Sequence, residues 1–283
     1  MLPKSWLSSE ENRRKTVFGL SMLLGALLFV LVYGPYVLNP FYDDWIFLAE
    51  EQDPVQHYLG FCLYRSSPWK FPVGLVTTAS FPHDMSVIYT DAIPLFAFLG
   101  KLLSPILPRV FQYLGIYGLL SMALTGGMGA LLIYELTKKT ELSIIASVFY
   151  SMSWILLYRM FYHTSLTSHW LILTAFYLWI RSDLKEDIRK SCLIYALLSA
   201  IAILIHPYIW TMCLGITIVS FIEYLMQKGD LRRLLLYGAV FCGVGAFCLF
   251  AFGAFTGGTK ADLGAGSYEA NLNTLFNSMG YAR

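Results

Sequence analysis

VFGLSMLLGALLFVLVYGPYVL, residues 17–38, carries no acid, lysine, arginine or histidine. Crossing a bilayer core of about 30 Å takes about 20 predominantly apolar residues, because each backbone group must find its partner inside the segment. The stretch meets that length. Similar runs recur at 110–134, 143–158, 165–180, 192–206, 209–226 and 234–256. The chain has 283 residues, is 57% hydrophobic and 13% charged, and has a mean hydropathy of +0.59. An ordinary soluble domain is about a quarter charged. The pattern therefore predicts an all-α polytopic bundle of about seven transmembrane helices.

An eighth apolar run, 88–106, reads differently. Asp91, Pro94, Lys101 and Pro105 give it a polar stripe, which suits an interfacial helix. The basic segments ENRRK, ELTKKTE, RSDLKEDIRK and QKGDLRR, together with Lys4, hold 13 of the 20 Lys and Arg. If 88–106 does not cross, all of them fall on one side. The positive-inside rule makes that side cytoplasmic and places the N-terminus there, in a multi-pass protein of the cell membrane. Trp154, Trp170 and Trp210 then lie near outer ends and Trp179 near an inner one. Residues 1–15 are too polar for a signal-peptide lead-in, and 17–38 is long enough to stay as a span.

These features also exclude function classes. Four of the five cysteines lie inside predicted spans and Cys62 stands alone, so no disulfide framework or metal-type spacing is present. A net charge of +2 with dispersed basic residues leaves no nucleic-acid footprint. No internal repeat of fixed period is found. Residues 1–256 form one transmembrane domain, with the outer loop at 39–109. The Gly-, Asn- and Ser-rich residues 257–283 read as the start of a truncated extracytoplasmic loop.

The outer loop holds the chemistry. Seven of the 18 carboxylates lie between Asp43 and Asp91, where the apolar helices need none of them. Asp53 before Pro54 reads as an N-cap and first-turn pair that opens a helix to about Tyr64. Thr90 and Asp91 read as a second start, leading into AIPLFAFLGKLL. Pro68 and Pro72 break the chain between them.

The segments DPVQHYLGFCLYR, SPWKFPVG, YTDAIPL and HTSLTSHWLIL, with an early acidic motif after the first span, resemble an uncharacterised bacterial family related to the GT-C superfamily. GT-C proteins are integral-membrane glycosyltransferases that use polyprenyl-phosphate sugars. The resemblance runs from about residue 16 into the tail. It implies a catalytic carboxylate in the first outer loop, general base or metal holder: Asp53 by its matching phrase, with the Asp43–Asp44 pair as the alternative. It also implies transfer of a sugar from a polyprenyl-phosphate donor, in the bilayer, to an acceptor glycan, lipid or protein on the outer face. Such a transfer needs a base at the attacking hydroxyl and donors near the departing phosphate. Arg65, Lys70 and Arg159 are candidates for the donors. Asp91, His163, His169 and His206 are further candidates on the same surface.

Each residue also has a plainer reading. Asp53 and Asp91 are good helix caps, a role compatible with catalysis. Asp43 and Asp44 suit a solvated loop, and Arg65 and Lys70 can snorkel to headgroups. His163 and His169 lack the i, i+4 spacing typical of helical metal ligands, so no metal site is assigned and a divalent ion stays open as cofactor. His206 with Pro207 makes a turn between spans. A transporter or flippase is the second functional class. It would place charge at the bilayer midplane, where these spans carry almost none. A non-catalytic membrane scaffold is the third.

Overall fold

The computed structural model describes residues 9–48, 53–79 and 82–256. Tail residues 257–283 lie outside them.

Helix α1 (Glu10–Tyr33) begins after Ser9 with Glu10 and Glu11 in its first turn, where the helix dipole favours acids. It stops at Gly34, whose φ of 80° breaks the ladder just before Pro35. Helix α5 (Leu114–Thr137) is the central element. Small residues on both helices let α1 and α5 approach closely: a Cβ on Gly25 of α1 would stand 2.9 Å from the Ala123 Cα of α5. Around α5 also pack α6 (Thr140–Ser151) and α8 (His169–Ile180). Helix α9 (Ile188–Ile205) carries α10 (Pro207–Lys228) and α11 (Leu231–Ala251). A buried core running through Tyr117, Leu171, Ala202, Ile209 and Phe241 joins the two groups.

Among the described residues, five helices are long and apolar enough to cross a membrane: α1, α5, α9, α10 and α11. The chain is thus an all-α membrane protein. The runs at 143–158 and 165–180 depart from the expected single helices. The first divides at Met152–Ser153 into α6 and α7 (Trp154–Arg159). The second starts only at His169, because residues 164–167 form a 3-10 turn in which the Thr167 hydroxyl donates to the Thr164 carbonyl. Hydroxyl side chains offer the backbone such alternatives to a helix. Helix α8 keeps 12 residues, about 18 Å at 1.5 Å per residue.

The two ends of the bundle are chemically distinct. At one, the nearly buried Glu135 carboxylate accepts from Arg14 at 2.6 Å, Lys138 at 2.6 Å and Arg181 at 3.3 Å, tying together α1, α5 and the end of α8. The opposite end carries the long connection after α1. Its short helix α2 (Asp44–Phe47) is followed by α3 (Asp53–Ser66) and a two-stranded antiparallel hairpin, β1 (Leu75–Val76) with β2 (Met85–Ser86). Helix α4 (Pro94–Leu102) closes it. With nine residues α4 reaches about 14 Å, too little to cross. Buried Gln112 clamps this connection to α5: its amide donates to Val37 and Asn39 carbonyls at 2.9 and 2.8 Å, and its oxygen accepts from the Gly115 amide. The hairpin docks on the end of α11, where the Val73 amide donates to Ala251 and the Ser86 hydroxyl to Phe252.

The second expected helix start is corrected. For the first, α3 is described from Asp53 to Ser66, and the residues just before it lie outside the described ones. Thr90 ends a 3-10 turn, Val87–Thr90, and α4 begins at Pro94 after Ile93. Proline suits that first helical position because its missing N–H has no partner there anyway. Trp210 also differs from a belt residue: its indole turns inward, donating to Ser199 at 2.8 Å and stacking on Phe241.

Candidate functional site

Helix α3 presents Asp53 and His57 one turn apart, on one face. The next residue on that row, Gly60, packs against the turn carrying Thr90, and a Cβ there would stand 2.5 Å from the Thr90 Cβ. That close approach brings Asp91 to the same face. Asp91 and Ile93 both adopt left-handed conformations, each with φ 53°. Such a conformation costs a β-branched residue of order 1–3 kcal/mol. The fully buried Ile93 side chain and a hydrogen bond from the Tyr113 hydroxyl to the Ala92 carbonyl hold the segment in place.

Two carboxylate–imidazole pairs result. His163 Nδ1 lies 2.6 Å from Asp53 Oδ2, with both side chains about two-fifths exposed. His206 Nε2 lies 3.2 Å from Asp91 Oδ1. His206 caps α10, its Nδ1 accepting from the Tyr208 amide at 3.1 Å. The cap assigns the ring proton to Nε2, which therefore donates to Asp91. Partial burial is the largest influence and works against ionisation of Asp91, but the His206 bond and the fields of His206, His57 and His163 together outweigh it and hold the carboxyl below its usual range.

His57 belongs with them, and sequence reasoning does not single it out. It is 2% exposed, and its Nδ1 has no hydrogen-bond partner among the described residues. Burial lowers its pKa, against the opposing fields of Asp91 and Asp53. The signal was present in the phrase DPVQH, which places an acid and a histidine at i and i+4. A histidine inside an apolar-looking helix reads first as packing.

Arg159 and His169 lie on the segment that carries His163; the His163 amide donates to the Arg159 carbonyl at 3.0 Å. They line a groove of about 540 Å3 between α6, α7, α8 and α10, floored by Leu166, Ile172, Ile209 and Met212. Arg159 has no side-chain hydrogen bond or ion pair among the described residues. A free cation at the head of an apolar groove suits an amphiphile with an anionic head.

The remaining candidates lie apart. Asp43 accepts from Tyr58 at 2.8 Å and shares a different cleft, about 500 Å3, with Arg65 and Arg109. Arg65 is committed to the chain after α4, donating to Ser104 Oγ at 3.0 Å and the Leu107 carbonyl at 2.9 Å. Asp44 is exposed at the start of α2. Lys70 pairs with Asp84. Among the described residues, no three His, Cys, Asp or Glu are grouped so as to hold a metal ion.

Comparison with curated proteins and with solved structures gives no match. A family model described as a domain of unknown function (DUF6311) matches residues 22–283, all but the first 21 residues, and the chain belongs to that family.

Proposed function

We propose that this chain is a membrane glycosyltransferase of GT-C type, which moves a sugar from a polyprenyl-phosphate donor to an acceptor on the extracytoplasmic face of the cell membrane. The observation that carries the reading is the Asp53–His163 pair beside a groove headed by the unpaired Arg159. Asp53 holds the Nδ1 proton of His163, leaving Nε2 to take the acceptor's hydroxyl proton. As that oxygen bonds to the anomeric carbon, the carbon–phosphate oxygen bond breaks. The phosphate keeps the electron pair, and Arg159 with His169 stabilises the added charge. The lipid chain lies along Leu166, Ile172 and Met212.

The topology belongs to the same reading: seven crossings, with α6–α7 and α8 making the third and fourth and the N-terminus cytoplasmic. The Glu135 network and the His163–Asp53 pair stand at opposite ends of that hairpin, which supports the count.

Sugar transfer from a labelled polyprenyl-phosphate sugar, measured on the chain in nanodiscs, tests the function. His163→Ala should lower turnover by about 10²–10⁴-fold, the usual contribution of a positioned base, and Asp53→Asn, which removes the charge that orients it, should lower turnover too. Arg159→Ala should lower kcat as well as raise donor KM, because the charge it meets grows in the transition state. Unchanged turnover in Asp53→Asn would remove the pair from the chemistry. The same groove also suits a lipid flippase; movement of the carrier lipid across the bilayer without sugar transfer would favour that reading.

A further inference from the structure

At the opposite end of the bundle from the Asp53–His163 pair, a pocket of about 310 Å3 lies between the last turns of α8 and α10. Its two deepest polar groups are incompletely used. Lys185, 2% exposed, donates to the Leu178 carbonyl at 3.0 Å. An ammonium has three donors; beyond this bond it meets only the face of the Tyr224 ring at 5.8 Å, so it still lacks a second oxygen acceptor. Ser220 is equally buried, and its hydroxyl has no partner among the described residues. Burial pushes Lys185 down to about 8, only partly opposed by Glu223 and Asp183. Buried donors left unmade are costly, and an anion supplies what both of them lack.

The pocket also holds a negative group. The Glu223 carboxylate is oriented by the Trp179 indole and, at 3.0 Å, by the Gln227 amide. It lines the same space as Lys185 and acts on it only through its field, without an ion pair between them. A carboxylate beside an indole suits a primary ammonium. We propose that this pocket binds a small zwitterion, its phosphate or carboxylate held by Lys185 and Ser220 and its ammonium by Glu223 and Trp179. Aminophospholipid headgroups and free phosphoethanolamine share this chemistry. The proposal stands apart from the glycosyl-transfer reading, since no residue is common to the two sites.

Native mass spectrometry of the full chain in detergent tests it, with phosphatidylethanolamine, phosphatidylglycerol and free phosphoethanolamine as probes. Phosphatidylethanolamine should be retained about tenfold over phosphatidylglycerol, and Ser220→Ala and Glu223→Gln should each lower its retention about tenfold. Both variants keep the Lys185–Leu178 bond, and Ser220→Ala removes only an unpartnered hydroxyl, so neither should unfold the chain. Retention of free phosphoethanolamine without lipid, lost in both variants, supports the same site with a soluble source. Equal retention of both lipids, no binding of phosphoethanolamine and no effect of either variant would mean that the pocket holds water alone and would overturn the proposal.

Discussion

His57 shows what a buried, unpartnered side chain implies. Had it served packing alone, an apolar ring of similar shape would fill the same space at little cost, and removing an unsatisfied polar group is often stabilising. His57→Phe should therefore keep the thermal midpoint at pH 7.5. A midpoint drop of several degrees would mark a structural role instead. The pH dependence gives a second check. The folded-state pKa of His57 is depressed by burial below its ordinary 6.5, so the unfolded chain takes up the proton first as pH falls. Its contribution to stability is therefore complete above about pH 6.5 and is lost progressively below it. Asp91 titrates lower, since the His206 bond and the histidine fields together hold its carboxyl down against burial. Between pH 7.5 and 5 the wild type should lose more stability than His57→Phe, read from thermal unfolding of each; parallel curves would sink the assignment.

Helix α5 makes its contacts through what its glycines lack. A Cβ on Gly115 would stand 1.8 Å from the Val37 carbonyl oxygen, the same oxygen that accepts from Gln112. Gly115→Ala should therefore force backbone apart and lower stability by about 1–3 kcal/mol, as overpacking does. Gly19 in α1 has nothing within 4 Å of its would-be Cβ, so Gly19→Ala should be neutral or stabilise by about 0.5–1 kcal/mol. Thermal unfolding of the two in one detergent decides; equal effects would contradict the packing. Helix α4 was legible as a non-crossing element from its polar stripe. Its start was not, because Pro94 sets the first turn while Asp91 turns away to meet His206. The shortness of α8 was less legible, since hydropathy counts Leu166 as apolar whether it lies in a helix or in a 3-10 turn.

Across the molecule, the crossing count has a decisive residue. Five or seven crossings leave Lys138 and Glu186 on the same side, but they place α7 on opposite ones. Tyr158, 52% exposed, is accessible on α7. In intact cells a Cys at 158 should react with an impermeant thiol reagent from outside, while one at 186 should react only after permeabilisation; labelling of 158 from the inside alone would leave five crossings. The membrane class, the five long helices and the acidic connection after the first of them follow from composition and spacing, because the hydrophobic effect and backbone satisfaction act on any apolar run of sufficient length. The partners do not. Asp53 with His163, Asp91 with His206, and Lys185 and Ser220 lining one pocket are separated by tens of residues along the chain or more, and no local pattern records which side chains come together. Those pairings depend on how closely α3 can approach the turn at Thr90 and on where α6 and α8 break, and packing decides both only when the whole bundle has closed.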